Sequence, residues 1–153
     1  MALVVRRLRP ACLALVALAC ASEPQPLYEG PPRPQSEVAL IVVFSPADAS
    51  LERVDGRRQS GTSFALAPGE HRLSVHVSAA VEENLQTFRL HRICELSAEL
   101  EAGHRYELRR VDEVVKGTAE GTAFDVSARL VDSATGQLFP SQRCDDASLP
   151  EDD

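Results

Sequence analysis

Apolar and polar residues alternate with a period of two along much of the chain after residue 36, and this pattern predicts half-buried β-strands. In residues 73–77, leucine and valine alternate with serine and histidine, and residues 126–130 follow the same pattern. Residues 38–44 are instead almost continuously aliphatic, which indicates a strand buried on both faces. We therefore expect an all-β fold, a small antiparallel β-sandwich of about seven to eight strands.

Turn signals separate the predicted strands. Asp55 and Gly56 form a D-G pair after one apolar run, and Pro68 and Gly69 form a P-G pair after another. We predict that the chain reverses at each pair and that these four residues have a structural role. Residues 132–136 predict a further hairpin connection. Their aspartate and glycine are typical of a turn, which accounts for this segment better than a calcium-binding loop does.

Three segments fit the strand pattern less well. Residues 79–85 and 111–116 each fit a turn of helix. Residues 116–124 consist mainly of glycine, alanine and threonine, and they predict a flexible loop.

By contrast, residues 88–100 fit the strand pattern, because most of their apolar residues occupy alternate positions. This spacing directs the Cys94 side chain toward the core.

The first twenty residues have the order of an export signal. A basic stretch comes first, an apolar run at residues 11–19 follows, and small residues surround Cys20. The apolar run is about nine residues long, whereas a helix needs about twenty to cross a bilayer. The pattern predicts a cleaved signal peptide rather than a retained transmembrane helix.

The sequence Val16-Ala17-Leu18-Ala19-Cys20 resembles the lipobox of bacterial lipoproteins, in which the cysteine is acylated and becomes the N-terminus. Ala19 and Cys20 match the family, but leucine is preferred where Ala17 stands. The alternative is ordinary signal-peptidase cleavage after Ala19 or Ala21. The resemblance implies lipidation of Cys20 and a membrane-anchored lipoprotein that faces the periplasm. The Ala21 that follows the cysteine implies the outer membrane.

The chain divides into four predicted parts. Residues 1–19 are the signal peptide, and residues 20–36 are the lipidated cysteine with a spacer that contains five prolines. Because proline has no backbone N–H, we expect this spacer to be extended and to hold the domain off the membrane. The β-sandwich spans residues 37–144, and residues 145–153, which include five acids, form an acidic disordered tail.

The sequence predicts a different role for each of Cys12 and Cys20 and a shared one for Cys94 and Cys144. Cys12 leaves with the signal peptide and Cys20 carries the anchor. Cys94 and Cys144 remain as one pair in an oxidising compartment, and we predict a disulfide between them. The alternatives are two buried thiols or a metal pair, but no C-x-x-C spacing is present and a metal would need two further ligands.

The charge limits the classes of partner. The formal net charge of −7 becomes −10 without residues 1–19, which hold three arginines and no acid. An acidic chain repels phosphate groups, which argues against nucleic acid and against electrostatic binding to anionic lipid. The membrane contact is therefore expected to depend on the acyl chains.

Catalytic motifs are absent from the sequence: it has no G-x-S-x-G, H-E-x-x-H or phosphate-binding loop. The candidates left are the histidines His71, His76, His91 and His104. His71 and His104 are expected at turns. His76 and His91 lie on polar faces of their strands, and near Glu95 or Glu99 they could form a weak metal site. We therefore expect that the chain is not an enzyme and that it binds no cofactor.

The segment Val54-Asp55-Gly56, with the L-x-P-G-x-H-x-L-x-V pattern at residues 66–75, resembles the PEGA-type envelope module. The order of cysteine, Pro-rich spacer, first strand at residues 37–40 and A-G-H-R-Y at residues 102–106 is similar to that of small proteobacterial lipoproteins. The resemblance covers residues 20–110. It implies an immunoglobulin-like sandwich in the cell envelope and no known activity.

Two functions are compatible with these features. The first is a non-catalytic envelope lipoprotein, a structural or protein-interaction module whose partners are other envelope proteins. The alternative is a small-ligand or metal binder that uses the face with His76 and His91. An apolar pocket lined by histidine and glutamate would favour the alternative, whereas an exposed face or an uncovered strand edge would favour the first.

Overall fold

Eleven β-strands and one turn of 3₁₀ helix make up the secondary structure of residues 23–83, 86–118 and 121–146, which the computed structural model describes. The strands are β1 (Gln25–Pro26), β2 (Ala39–Val43), β3 (Ala49–Val54), β4 (Arg57–Arg58), β5 (Ser63–Leu66), β6 (Gly69–Glu83), β7 (Gln86–Leu100), β8 (Arg105–Thr118), β9 (Gly121–Asp132), β10 (Leu138–Pro140) and β11 (Arg143–Asp146). The 3₁₀ turn spans Gln35–Glu37. Within these ranges, no helix is long and apolar enough to cross a membrane.

The strands form two sheets that pack as a small β-sandwich, which confirms the predicted fold class. Sheet A has the order β1-β5-β2-β8-β9-β10, and sheet B has the order β11-β7-β6-β3-β4. Sheet B is antiparallel. Sheet A is mixed, because β2 runs parallel to β8 and β1 runs parallel to β5. The chain crosses between the sheets before it returns to β8, and this crossing permits the parallel pair.

The core lies between the sheets and contains the apolar half of each alternating strand. Leu73, Val75 and Val77 of β6 are completely buried, and they belong to the same cluster as Tyr106 and Leu108 of β8. Full burial of such a side chain contributes about 1.5–3 kcal/mol. The period of two in the sequence therefore identifies the inner face of these strands.

Two long hairpins replace the irregular segments that the sequence predicts. β6 and β7 pair from Gly69 opposite Leu100 to Glu83 opposite Gln86, and β8 pairs with β9. The predictions of helical turns at residues 79–85 and 111–116 and of a loop at 116–124 are therefore wrong for the described residues there. Valine-rich segments favour strands once a partner strand supplies the backbone hydrogen bonds.

Part of the Pro-rich segment belongs to sheet A. Gln25 and Pro26 pair with Phe64 and Ala65, and the Leu27 N–H donates to the Ala65 carbonyl over 2.8 Å. Leu27 also packs against the core. The prediction that residues 20–36 form a spacer separate from the β-sandwich is therefore wrong for these residues. An edge strand tolerates proline, and the residue after it supplies the donor.

A disulfide links the C-terminal strand to sheet B. Cys144 of β11 lies directly opposite Cys94 of β7, and their sulfurs are bonded, as the sequence predicts. Asp145 and Asp146 belong to β11, so the prediction of a disordered tail that starts at residue 145 is wrong for these two residues. The disulfide holds them against β7. The remainder of the predicted tail, the signal peptide and Cys20 lie outside the described residues.

Candidate functional site

A groove of about 620 Å³ lies on the outer face of sheet A. Its floor is formed by the outward side chains of β2 and β5, among them Leu40, Val42 and Ala65. One wall comes from the N-terminal segment, which contributes Pro26 and Tyr28. The volume lies within the range of about 300–1,000 Å³ that is typical of ligand pockets.

The apolar floor follows from the sequence of β2. Ala39, Ile41 and Val43 face the core between the sheets, so Leu40 and Val42 face outward. Leu40 is nevertheless only 7% exposed. The N-terminal segment covers this part of the sheet, and the groove is the space that remains between them.

Polar groups gather at the groove around Tyr28. The Tyr28 hydroxyl accepts a hydrogen bond from the Arg33 backbone N–H over 3.0 Å, and the Arg33 guanidinium lies 5.0 Å from the centre of the Tyr28 ring. Arg105, which pairs with Leu40 in the sheet, also lines the groove. The groove thus combines an apolar floor with two arginines, an arrangement that suits an apolar ligand with a carboxylate or carbonyl group.

Asp55 and Gly56 form the two-residue connection between β3 and β4, and both have positive φ, 51° and 78°. These values are those of a type I′ turn. The Asp55 carboxylate accepts hydrogen bonds from the Arg72 N–H over 2.9 Å and from His71 Nδ1 over 2.7 Å. Burial raises the pKa of Asp55, but these hydrogen bonds and the charges of His71 and Arg57 together outweigh it and lower the pKa below its usual value.

His71 joins two parts of the chain. Its Nε2 lies 2.8 Å from the Ala67 carbonyl, so each ring nitrogen faces an acceptor. Pro68 and Gly69 follow Ala67, and they carry the chain from β5 in sheet A to β6 in sheet B. The predicted P-G hairpin is therefore a crossing between sheets. His71 stabilises that crossing by linking it to the Asp55 turn.

His104 and Asp132 form a second polar contact, in which the carboxylate is buried. His104 Nδ1 lies 2.8 Å from Asp132 Oδ2, and Asp132 is 2% exposed. The hydrogen bond to Asp132 raises the pKa of His104. Burial raises the pKa of Asp132, but hydrogen bonds from His104, Ala134 and Thr135 outweigh it and lower the pKa. The contact joins the β7–β8 turn, where His104 lies as the sequence predicts, to the start of the β9–β10 connection.

His76 and His91 meet on the outer face of sheet B. His76 lies opposite Ile93 and His91 lies opposite Ser78, so the two imidazoles are diagonal neighbours, and His76 Nε2 is 3.2 Å from His91 Nδ1. The predicted approach of the two rings is thus present. Glu95 and Glu99 do not complete a site, because no group of three or more potential metal ligands occurs among the described residues.

The groove was not predicted from the sequence. The signal that could have identified it is the Leu27-Tyr28 pair within the Pro-rich stretch, together with the aliphatic residues of both parities in β2. None of the four histidines lines the groove. No protein-family model, curated protein or solved structure matches the chain.

Proposed function

We propose that the chain is an exported lipoprotein of the bacterial cell envelope that works by binding another envelope protein and not by catalysis. The observation that carries this proposal is the apolar groove on sheet A, with Tyr28, Arg33 and Arg105 among its polar residues. Grooves of this composition are suited to binding, since apolar walls supply affinity and a few polar groups fix orientation. The proposed ligand is an extended apolar segment that places a carboxylate near the two arginines.

The position of the groove supports a membrane-anchored function. Glu23, which lines the groove, comes three residues after Cys20, the proposed lipidation site. Three residues span at most about 11 Å. Acylation of Cys20 would therefore place the groove close to the membrane surface, where another envelope protein could reach it.

The contacts of the histidines support a non-catalytic function. His71 and His104 make hydrogen bonds that close turns, to Asp55 and Asp132 respectively. His71 and His104 therefore each have a structural role that accounts for their position. The resemblance of residues 54–75 to the PEGA-type module is a further argument for an envelope location.

The test is photo-crosslinking in intact cells, with the reactive residue at Ser63, which lines the groove. The control position is Val131, which lies in the same cross-strand row of sheet A but outside the groove. We expect one envelope protein to be captured from position 63 and not from 131. Val42→Asp should abolish this capture, and Val131→Asp should leave it intact.

The proposal fails if position 131 captures the same protein equally well, or if Val42→Asp leaves the capture unchanged. Circular dichroism of both variants checks that the sandwich is folded. Because Val42 and Val131 are both half-buried on the outer face, the two substitutions by aspartate should destabilise the fold to a similar extent.

A further inference from the structure

We propose that His76 and His91 form an open two-histidine site for a divalent transition-metal ion on the outer face of sheet B. The site is separate from the groove on sheet A. Its two ligands come from β6 and β7, which are adjacent strands of the same sheet. Histidine is the commonest ligand for such ions.

The distance between the two nitrogens suits a shared metal ion. A zinc–imidazole bond is about 2.0–2.1 Å long, so two nitrogens on one ion are about 3.3–3.4 Å apart at a tetrahedral angle and about 2.9 Å apart at a right angle. The observed distance of 3.2 Å between His76 Nε2 and His91 Nδ1 lies between these values. The separation of the two nitrogens is therefore already that of two ligands on one ion.

The rings must rotate to bind the ion, because their facing nitrogens point at each other, whereas a shared ion lies to one side of the line that joins them. Their centres are 5.3 Å apart and their planes differ by 20°, so with nitrogens at 3.2 Å they meet edge to edge, as in an N–H···N hydrogen bond. Binding replaces this hydrogen bond. With the protons on His76 Nδ1 and His91 Nε2, each facing nitrogen has a lone pair, so both rings bind the ion as neutral imidazoles and no redox step is needed.

The sheet holds the two ligands in place before the ion binds. β6 and β7 pair continuously from Gly69 to Glu83, and β3 pairs with the other edge of β6 around His76. A ligand pair on paired strands loses little conformational entropy when it binds. Both histidines are only partly buried, so an ion can reach them from solvent.

The neighbours on this face leave the rest of the coordination shell to water. Ser50 lies opposite His76 on β3, and its hydroxyl donates to Glu52 over 3.1 Å. No third protein ligand completes a cluster among the described residues. An open site with two imidazoles favours the ions for which nitrogen ligands bind most strongly, with Cu²⁺ ahead of Ni²⁺ and Zn²⁺.

The test is a titration of the purified, folded full chain with CuCl₂ and, separately, ZnCl₂, followed by calorimetry. Electron paramagnetic resonance of the copper form counts the bound nitrogens. We expect one ion per chain with two imidazole nitrogens. His76→Gln and His91→Gln should each weaken the affinity about 100-fold or more, because each removes the chelate.

The control variant is His71→Gln, which changes the same residue type elsewhere and should leave the affinity unchanged. Val42→Asp should also leave it unchanged, so the groove and the metal site are tested independently. The inference is overturned if the wild-type chain shows no saturable binding, if its spectrum shows a single imidazole, or if His76→Gln and His71→Gln bind equally well.

Discussion

Asp132 accepts hydrogen bonds from four donors although its side chain is almost completely buried. The donors are His104 Nδ1, the backbone N–H groups of Ala134 and Thr135, and the Thr135 hydroxyl. A buried carboxylate is tolerated only with such partners. The sequence could predict an Asp-initiated turn at this position, but not the bond to His104, which is 28 residues away in the chain.

We predict that Asp132→Ala lowers the free energy of unfolding by about 1–3 kcal/mol, because it leaves donors near a buried position without an acceptor. Urea denaturation measures this change. Asp145→Ala is the control, since the exposed Asp145 pairs only with the exposed Arg143 in the part of the chain that the structure describes. It should change the stability by less than about 0.5 kcal/mol. Equal effects of the two variants would refute the role of Asp132.

The His104 contact predicts a pH dependence. Its pKa is raised in the folded state, so the stabilisation is fully present below the unfolded value of 6.5 and is lost as the pH rises through the higher folded value. We expect the difference in stability between the wild type and His104→Gln to decrease from pH 6 to pH 9. Denaturation curves at several pH values measure it, and a constant difference would contradict the prediction.

At the scale of the elements, the sequence predicts the local patterns and misses the non-local pairings. The alternation in β6 and the aliphatic run in β2 identify the strands and their faces, because burial imposes a period of two. The parallel pairing of β2 with β8 leaves no local signal, since it joins residues about 65 positions apart. Residues 111–116 contain valines that fit helix or strand equally, and only their pairing with β9 decides between them.

The contact of Leu27, the residue after β1, with the core gives the next prediction. Leu27 packs against the core, so Leu27→Ala should lower the free energy of unfolding by about 1 kcal/mol, which is less than for a fully buried leucine. It should also increase amide exchange at Leu27. Leu138→Ala is the control, because Leu138 is 51% exposed. A Leu27 variant as stable as the Leu138 variant would show that the contact of Leu27 with the core contributes nothing.

The disulfide fixes β11, which has only four residues, to the edge of sheet B. It closes a loop between residues 50 positions apart, and in the chain-entropy model such a link contributes about 4 kcal/mol. We expect Cys144→Ser to lower the free energy of unfolding by about that amount and to increase exchange at Arg143–Asp146. Reduction of the wild type should have the same effect. Unchanged stability after complete reduction would contradict this prediction.

At the scale of the whole molecule, the proposed function depends on how the sandwich is attached to the membrane. Without residues 1–19 the chain has a net charge of −10, so it has no general attraction to anionic lipid. Acyl chains at Cys20 would supply the attachment, because each buried methylene contributes about 0.8 kcal/mol and more than one chain makes an anchor stable. The lipid anchor at Cys20 and the groove would then lie at the same end of the molecule.

The anchor is tested by replacing its cysteine. Cys20→Ser should move the protein from the membrane fraction to the soluble fraction, whereas Cys12→Ser should not, because residue 12 belongs to the predicted signal peptide. Intact-mass measurement of the wild type should give a chain that begins at Cys20 with acyl groups attached. An unmodified Cys20 at the N-terminus, or a chain that begins at Ser22, would identify ordinary signal-peptidase cleavage and rule out the anchor.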